Sequence, residues 1–155
     1  MLADIITIGD EILIGQTVDT NSTWIANQLE SVGVKVRQIT SVADEKEHIL
    51  STLDSSFKSS DLVILTGGLG PTNDDITKYA LCDFFQVKLV LNNEVLNDVK
   101  ELFAKHGRRI NSHNKKQAMV PSNCHLLRNL KGTAPGMYFK KNKKLCEKNN
   151  ILIPN

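Results

Sequence analysis

Short apolar runs alternate along the chain with longer stretches whose apolar residues recur every three or four positions. "DIITI" (Asp4 to Ile8) precedes "TNSTWIANQLESVG", where Ile25, Leu29 and Val32 share one helical face and Gly33 is placed to stop the helix. "VKVRQI" alternates as a strand does. The next segment, "DEKEHILSTLDSSF", carries a core stripe of Ile49, Leu53 and Phe57, with Asp44 and Glu47 at N-cap and N3 spacing. "DLVIL" (Asp61 to Leu65) is the most continuous apolar run and reads as a central parallel strand. Ile76, Ala80 and Phe84 mark another helical face, as do Val95, Val99 and Leu102 before a stop at Gly107. Beyond Gly107 the pattern weakens: "HLLRNL" and "GMYFKK" read as short strands at a sheet edge. The tail "KKNKKLCEKNNILIPN" reads as a Lys/Asn-rich turn with one apolar run. Strands alternating with helices of this length predict βαβ units and an α/β fold: three layers, α/β/α, around a mostly parallel sheet.

Composition narrows the class without naming a function. A length of 155 residues suits one domain, and 41% hydrophobic with 23% charged residues is the balance of a soluble globular chain. The formal charge of +2 gives no bulk electrostatic reason for nucleic acid or membrane as a partner. Cys82, Cys124 and Cys146 match no metal spacing and no disulfide framework, as expected in a reducing compartment. The N-terminus carries no basic leader, and no segment is long and apolar enough to span a bilayer. The expectation is a cytoplasmic single domain covering residues 1–155.

Two stretches bear on chemistry, because ligands in parallel α/β sheets collect at the carboxyl ends of strands. "GDEILIGQTVDTN" follows the first strand and "TGGLGPTNDD" the third. Loop glycines let backbone N–H groups converge on an anion, aided by the N-terminus of the next helix. The loop is neither a P-loop nor a dinucleotide fingerprint, since no Gly-Lys-Ser/Thr closes it and position 73 is Asn. A tight strand-to-helix turn would use the same glycines. Asp74 and Asp75 could simply compensate the helix dipole. Facing a phosphate, however, they would repel it unless a divalent cation lay between, and Asp10, Glu11 and Asp19 could add charge to the same pocket, with Asn21 as a neutral partner. The basic segment around Lys105, Arg108, Arg109, Lys115 and Lys116 lacks the interleaved aromatics of a single-strand stacking platform. Trp24 reads as helix packing, and the four histidines show no ligand spacing.

In this order and at these intervals, "GDEILIGQTVDTN", "TGGLGPTNDDITK", "NKKQAMVP" and "NLKGTAPGM" resemble the N-terminal, molybdopterin-binding-like domain of the CinA (competence/damage-inducible) family. The resemblance implies a metal-dependent ADP-ribose pyrophosphatase that releases AMP and ribose 5-phosphate, using Mg²⁺, Mn²⁺ or Co²⁺. Asp10, Glu11, Asp74 and Asp75 would hold the metal, with Asp74, Asp75 and Glu11 as catalytic groups. Gly9, Asp19, Asn21, Thr66, Gly67, Gly68, Gly70, Pro71 and Thr72 would bind the substrate. So would Asn114 and Lys116, which with Gln117 match the family's segment before Pro121, and the loop Gly132, Thr133, Ala134, Pro135 and Gly136. The wider superfamily offers a second reading, a pterin-binding adenylyltransferase of molybdenum cofactor synthesis, and a third is a non-catalytic nucleotide-binding module. A small-molecule nucleotide is the expected partner, and a homo-oligomer is expected by analogy with related domains. Against the family pattern the chain reads as C-terminally truncated: "ILIPN" stands where "LPGVP" begins, and no deamidase-like domain follows.

Overall fold

The computed structural model describes residues 1–69, 76–142 and 148–153. Strand β1 (Leu2–Ile8) is buried from Ala3 onward and is followed by the single turn α1 (Asp10–Leu13) and helix α2 (Thr20–Ser31). Strand β2 (Lys35–Val42), helix α3 (Lys46–Ser59) and strand β3 (Leu62–Gly67) complete the first half. Helix α4 (Ile76–Phe85), strand β4 (Leu89–Leu91), helix α5 (Asn93–Lys105), short helix α6 (Ser112–Lys116) and strand β5 (Met119–Pro121) come next. The chain then forms β6 (His125–Leu127), β7 (Gly136–Asn142) and β8 (Lys148–Ile153).

Among the described residues, six strands form one sheet in the order β2-β1-β3-β8-β7-β6, and β4 and β5 form a separate antiparallel pair. β1 pairs in parallel with β2 and β3, and β3 pairs in parallel with β8. β7 runs antiparallel to both β8 and β6. The larger core lies on the side of α3 and α4, through Ile6, Leu65, Ile49, Leu53, Ala80 and Met137. Phe57, Phe84, Phe85 and Phe139 meet there in a ring cluster, with Phe85 stacked on Phe139 at 4.7 Å between centroids. Ile5 and Ile64 point the other way and are covered by Ile25 and Leu29 of α2. Among the described residues, no helix is long and apolar enough to cross a membrane.

The helix stops follow from glycine. Gly33 has φ 77°, and the Gly33 and Val34 amides donate to the carbonyls of Glu30 and Leu29. Gly107 has φ 66°, and the Gly107 and Arg108 amides donate to Ala104 and Phe103. Both are Schellman closures, in which the left-handed residue brings two amides back onto the last helical carbonyls.

Four expectations change. Val32 is 72% exposed rather than a core residue, because α2 ends before it and the chain turns away at Gly33. Trp24 is 63% exposed and, among the described residues, belongs to none of the core clusters. β7 lies inside the sheet, and the tail supplies β8, paired on both sides; only β6 of the two expected edge strands is an edge. Finally, α3 begins at Lys46 with Glu45 at its N-cap and no side-chain cap, so Asp44 does not cap it.

Candidate functional site

At the carboxyl ends of β1 and β3 the main chain is forced into glycine. β3 ends beside β1, with Gly67 opposite Ile8 in the parallel ladder. Gly67 has φ 96°, and a Cβ there would sit 2.0 Å from the Ile8 carbonyl oxygen. Gly68 has φ 63°, and its Cβ would meet Thr77 Oγ1 at 2.1 Å. Both positions combine a left-handed backbone with no room for a side chain. Gly67 and Gly68 therefore lie close against β1 and against Thr77 in the first turn of α4.

A cavity of about 220 Å³ opens at this point. Its polar lining comes from Glu11, Thr17, Asp19, Thr20, Asn21, Asp44 and Thr66, together with Gly67 and Gly68. Glu11 is fixed over Gly9, whose missing Cβ would lie 2.6 Å from Glu11 Oε1. Asp19 is the N-cap of α2 and accepts from the Ser22 amide at 2.9 Å, which leaves its second oxygen outside that cap. Asp44 follows β2, and its amide donates to Asp10 Oδ1 at 3.3 Å. Its Oδ1 lies 3.4 Å from where a Cβ on Gly68 would be. Asp44 thus belongs to the cavity wall, although its spacing to Glu47 pointed to a helix cap. The Asp10 carboxylate turns toward that Asp44 amide, and Asp10 is not among the cavity's lining residues.

A second polar cluster lies beyond Gly68. Lys78, in the first turn of α4, is 1% exposed, and its Nζ donates to the Gln117 carbonyl at 3.2 Å. The Gln117 side chain is 2% exposed and donates through Nε2 to Thr133 Oγ1 at 3.0 Å. Thr133 belongs to a loop organised by Asn129, whose Oδ1 accepts from the Lys131 and Gly132 amides while its Nδ2 donates to the Ala134 carbonyl. Asn114 spends its side-chain oxygen on the Asn111 amide in a reciprocal capping box, and Lys116 is exposed. Neither they nor residues 132–136 line the cavity.

The structure therefore brings together Glu11, Asp19, Asn21, Thr66, Gly67 and Gly68 of the expected site, and adds Asp44 and Thr17. Gly70, Pro71, Thr72, Asp74 and Asp75 lie outside the described residues. Among the described residues, no three His, Cys, Asp or Glu side chains gather as a metal site. Asp44 could have been found in the sequence by its place just after the second strand, at the edge where ligands collect. Lys78 carried no signal beyond its position inside a helical pattern.

A glycine turn and acid-lined cavity on a largely parallel sheet define the class to which the comparisons also point. Residues 4–153 match the family described as "probable molybdopterin binding domain", and the chain belongs to that family. In fold it is similar to the tungsten cofactor synthesizing protein MoaB from Pyrococcus furiosus, with a TM-score of 0.62 at 20% identity over 98% of this chain and 79% of that one. The similarity to CinA proteins is greater. The chain is 55% identical over 140 residues to a CinA-like protein of Cytophaga hutchinsonii, covering 90% of this chain and 34% of that protein. The crystal structure of CinA from Thermoplasma acidophilum gives a TM-score of 0.82 at 33% identity, over 98% of this chain and 86% of that one. Within the family, the chain is CinA-like. It spans about a third of the length of the curated relatives it matches.

Proposed function

We propose that the cavity takes the phosphate of a phosphoanhydride-forming ligand together with a divalent cation, and that the ligand is of the molybdopterin class. The observation that carries this is the joining, in one cavity, of a side-chain-free glycine turn with carboxylates from two other loops. Acids facing a phosphate are repulsive without a cation between them. A small hard cation accepts one or two carboxylates and completes its shell with water and phosphate oxygens. The oxygen donors of Glu11 and Asp44 fit such an ion, and they would hold it; Asp74 and Asp75, outside the described residues, are further candidates from the sequence alone. When bound, the ion would offset charge on the phosphates under attack.

The chain's own residues then have distinct tasks. Gly67 and Gly68 let phosphate oxygens approach the main chain, which a Cβ would block. Thr66 and Asn21 offer neutral hydrogen-bonding groups for orientation. Asp19, already fixed by its cap bond, limits where a second anionic group can sit. In adenylyl transfer, a pterin phosphate oxygen would attack the α-phosphorus of ATP and pyrophosphate would leave.

A second reading is hydrolysis of ADP-ribose, in which water attacks the same kind of phosphorus and AMP and ribose 5-phosphate are the products. What favours it is the 55% identity to a CinA-like protein, over most of this chain. One experiment separates the readings. The purified protein is incubated with Mg²⁺, Mn²⁺ or Co²⁺ and either molybdopterin plus ATP or ADP-ribose, and the nucleotides are resolved by chromatography. Pterin-dependent pyrophosphate release is the expected result of the first reading, and AMP from ADP-ribose that of the second. Nucleotide-induced thermal stabilisation without turnover would indicate a binding module. No turnover and no stabilisation would overturn both enzymatic readings.

A further inference from the structure

The loop that precedes β7 stands at the same edge of the sheet as the glycine turn. Leu152 of β8 is opposite Ile64 of β3, and Ile153 is opposite Met137 of β7. β3 and β8 run parallel and β7 antiparallel, so the end of β3 and the beginning of β7 share one edge, with β8 between them. Two strand spacings put the two loops about 10 Å apart. That distance suits a ligand whose phosphate sits at Gly67 and Gly68 and whose other end reaches residues 129–136.

The side chains of Lys78 and Gln117, which tie this second loop to α4, are polar and buried. Lys78 ties α4 to the Gln117 carbonyl, and the Gln117 carboxamide ties that segment to Thr133. Among the described residues Gln117 Oε1 has no partner, nor does the buried hydroxyl of Thr77, which lies against Gly68. An unmatched buried acceptor is costly, so a leucine of similar size would serve the core at least as well. A buried carboxamide with an unmatched oxygen calls for a role other than stability.

We propose that Lys78, Gln117 and Thr133 form a positioning relay that sets the 129–136 loop as the second wall of the site, against the heterocyclic end of the ligand. The inference rests on the phosphate reading above and deepens it. The relay couples the first turn of α4, which carries Thr77 against the glycine turn, to the loop that receives the far end. Gln117 and Thr133 act through the loop and need not touch the reacting atoms.

The test uses Gln117→Leu, Thr133→Val and the double variant, with inorganic pyrophosphate and ADP-ribose as probes in the presence of Mg²⁺. Each single variant should weaken ADP-ribose binding about tenfold and change pyrophosphate binding less than about twofold; the double variant should be no worse than the weaker single one, since both cut the same link. Amide exchange at Lys131 and Gly132 should rise in all three variants, while global stability in urea stays at or above that of the wild type. Unchanged ADP-ribose affinity in folded variants, or equal losses for both probes, would overturn the relay. If the wild type binds neither probe, the phosphate reading falls; unchanged amide exchange sinks the relay independently of any ligand.

Discussion

Gly67 and Gly33 both have positive φ, yet the chain around them makes them unequal. At Gly33 a Cβ would meet nothing within 4 Å. Gly33→Ala should therefore cost only the left-handed penalty, about 1 kcal/mol. At Gly67 the Cβ would strike the Ile8 carbonyl oxygen, which cannot retreat without breaking the β1–β3 ladder. Gly67→Ala should cost about 3 kcal/mol or more. Urea denaturation of the two variants checks this, and equal losses would show that conformation alone sets the requirement. The need for glycine at the turn was legible in the sequence; its cause, a main-chain oxygen from another strand, was not. Asp44 shows the opposite error. Its spacing to Glu47 satisfies a local capping rule, but the N-cap is Glu45, one residue later, and Asp44 lines the cavity. Asp44→Asn should lower divalent-cation affinity at least about tenfold, with little change in thermal stability. Titration calorimetry with Mn²⁺ measures the first, and retained affinity would remove Asp44 from the cation site.

At the scale of elements, the helices were read well because their apolar faces repeat within one segment. Ile49, Leu53 and Phe57 are buried as their spacing predicts, and so are Val95 and Val99. The strands beyond Gly107 were read less well. β8 (KNNILI) is half polar and short, so nothing local announces that it pairs on both sides; its place depends on β7 before it and on β3, which is distant in sequence. Long-range ties of this kind also anchor α5. Arg128, just after β6, donates through Nε to Asp98 of α5 at 3.0 Å. That hydrogen bond, aided by the guanidinium charge, holds the Asp98 carboxyl below its ordinary value of 3.8. A depressed folded value means stability that is present above the unfolded value and lost as pH falls through the folded one. Asp98→Asn should thus destabilise the protein at pH 7 and lose that effect progressively below about pH 4. Denaturant midpoints for both proteins across pH 3 to 7 provide the check; a constant difference would mean that the charge is not what matters.

Across the whole molecule, β8 is the seam between two kinds of sheet. On one side lies the parallel β2-β1-β3 group, which carries the glycine turn, and on the other the antiparallel β7-β6 pair, which carries the second loop. Ile151 sits mid-seam, opposite Val63 of β3 and Phe139 of β7. A proline there removes a ladder donor from a strand paired on both edges, where proline is not accommodated. β6 differs, being an edge strand with β7 as its neighbour, and His125 is its first residue. Ile151→Pro should therefore abolish a single cooperative unfolding transition, whereas His125→Pro should keep one. The core contacts of Met137 and the ring stack of Phe85 on Phe139 add a consequence, since they would then tie β7 to the helical layer. With the seam open, the glycine turn and the 129–136 loop lose their fixed spacing, and a ligand that needs both ends should bind no better than pyrophosphate alone. Circular dichroism melts together with probe binding would decide the matter: a cooperative melt and intact ADP-ribose binding in Ile151→Pro would mean that the two groups of strands hold their relative positions without β8.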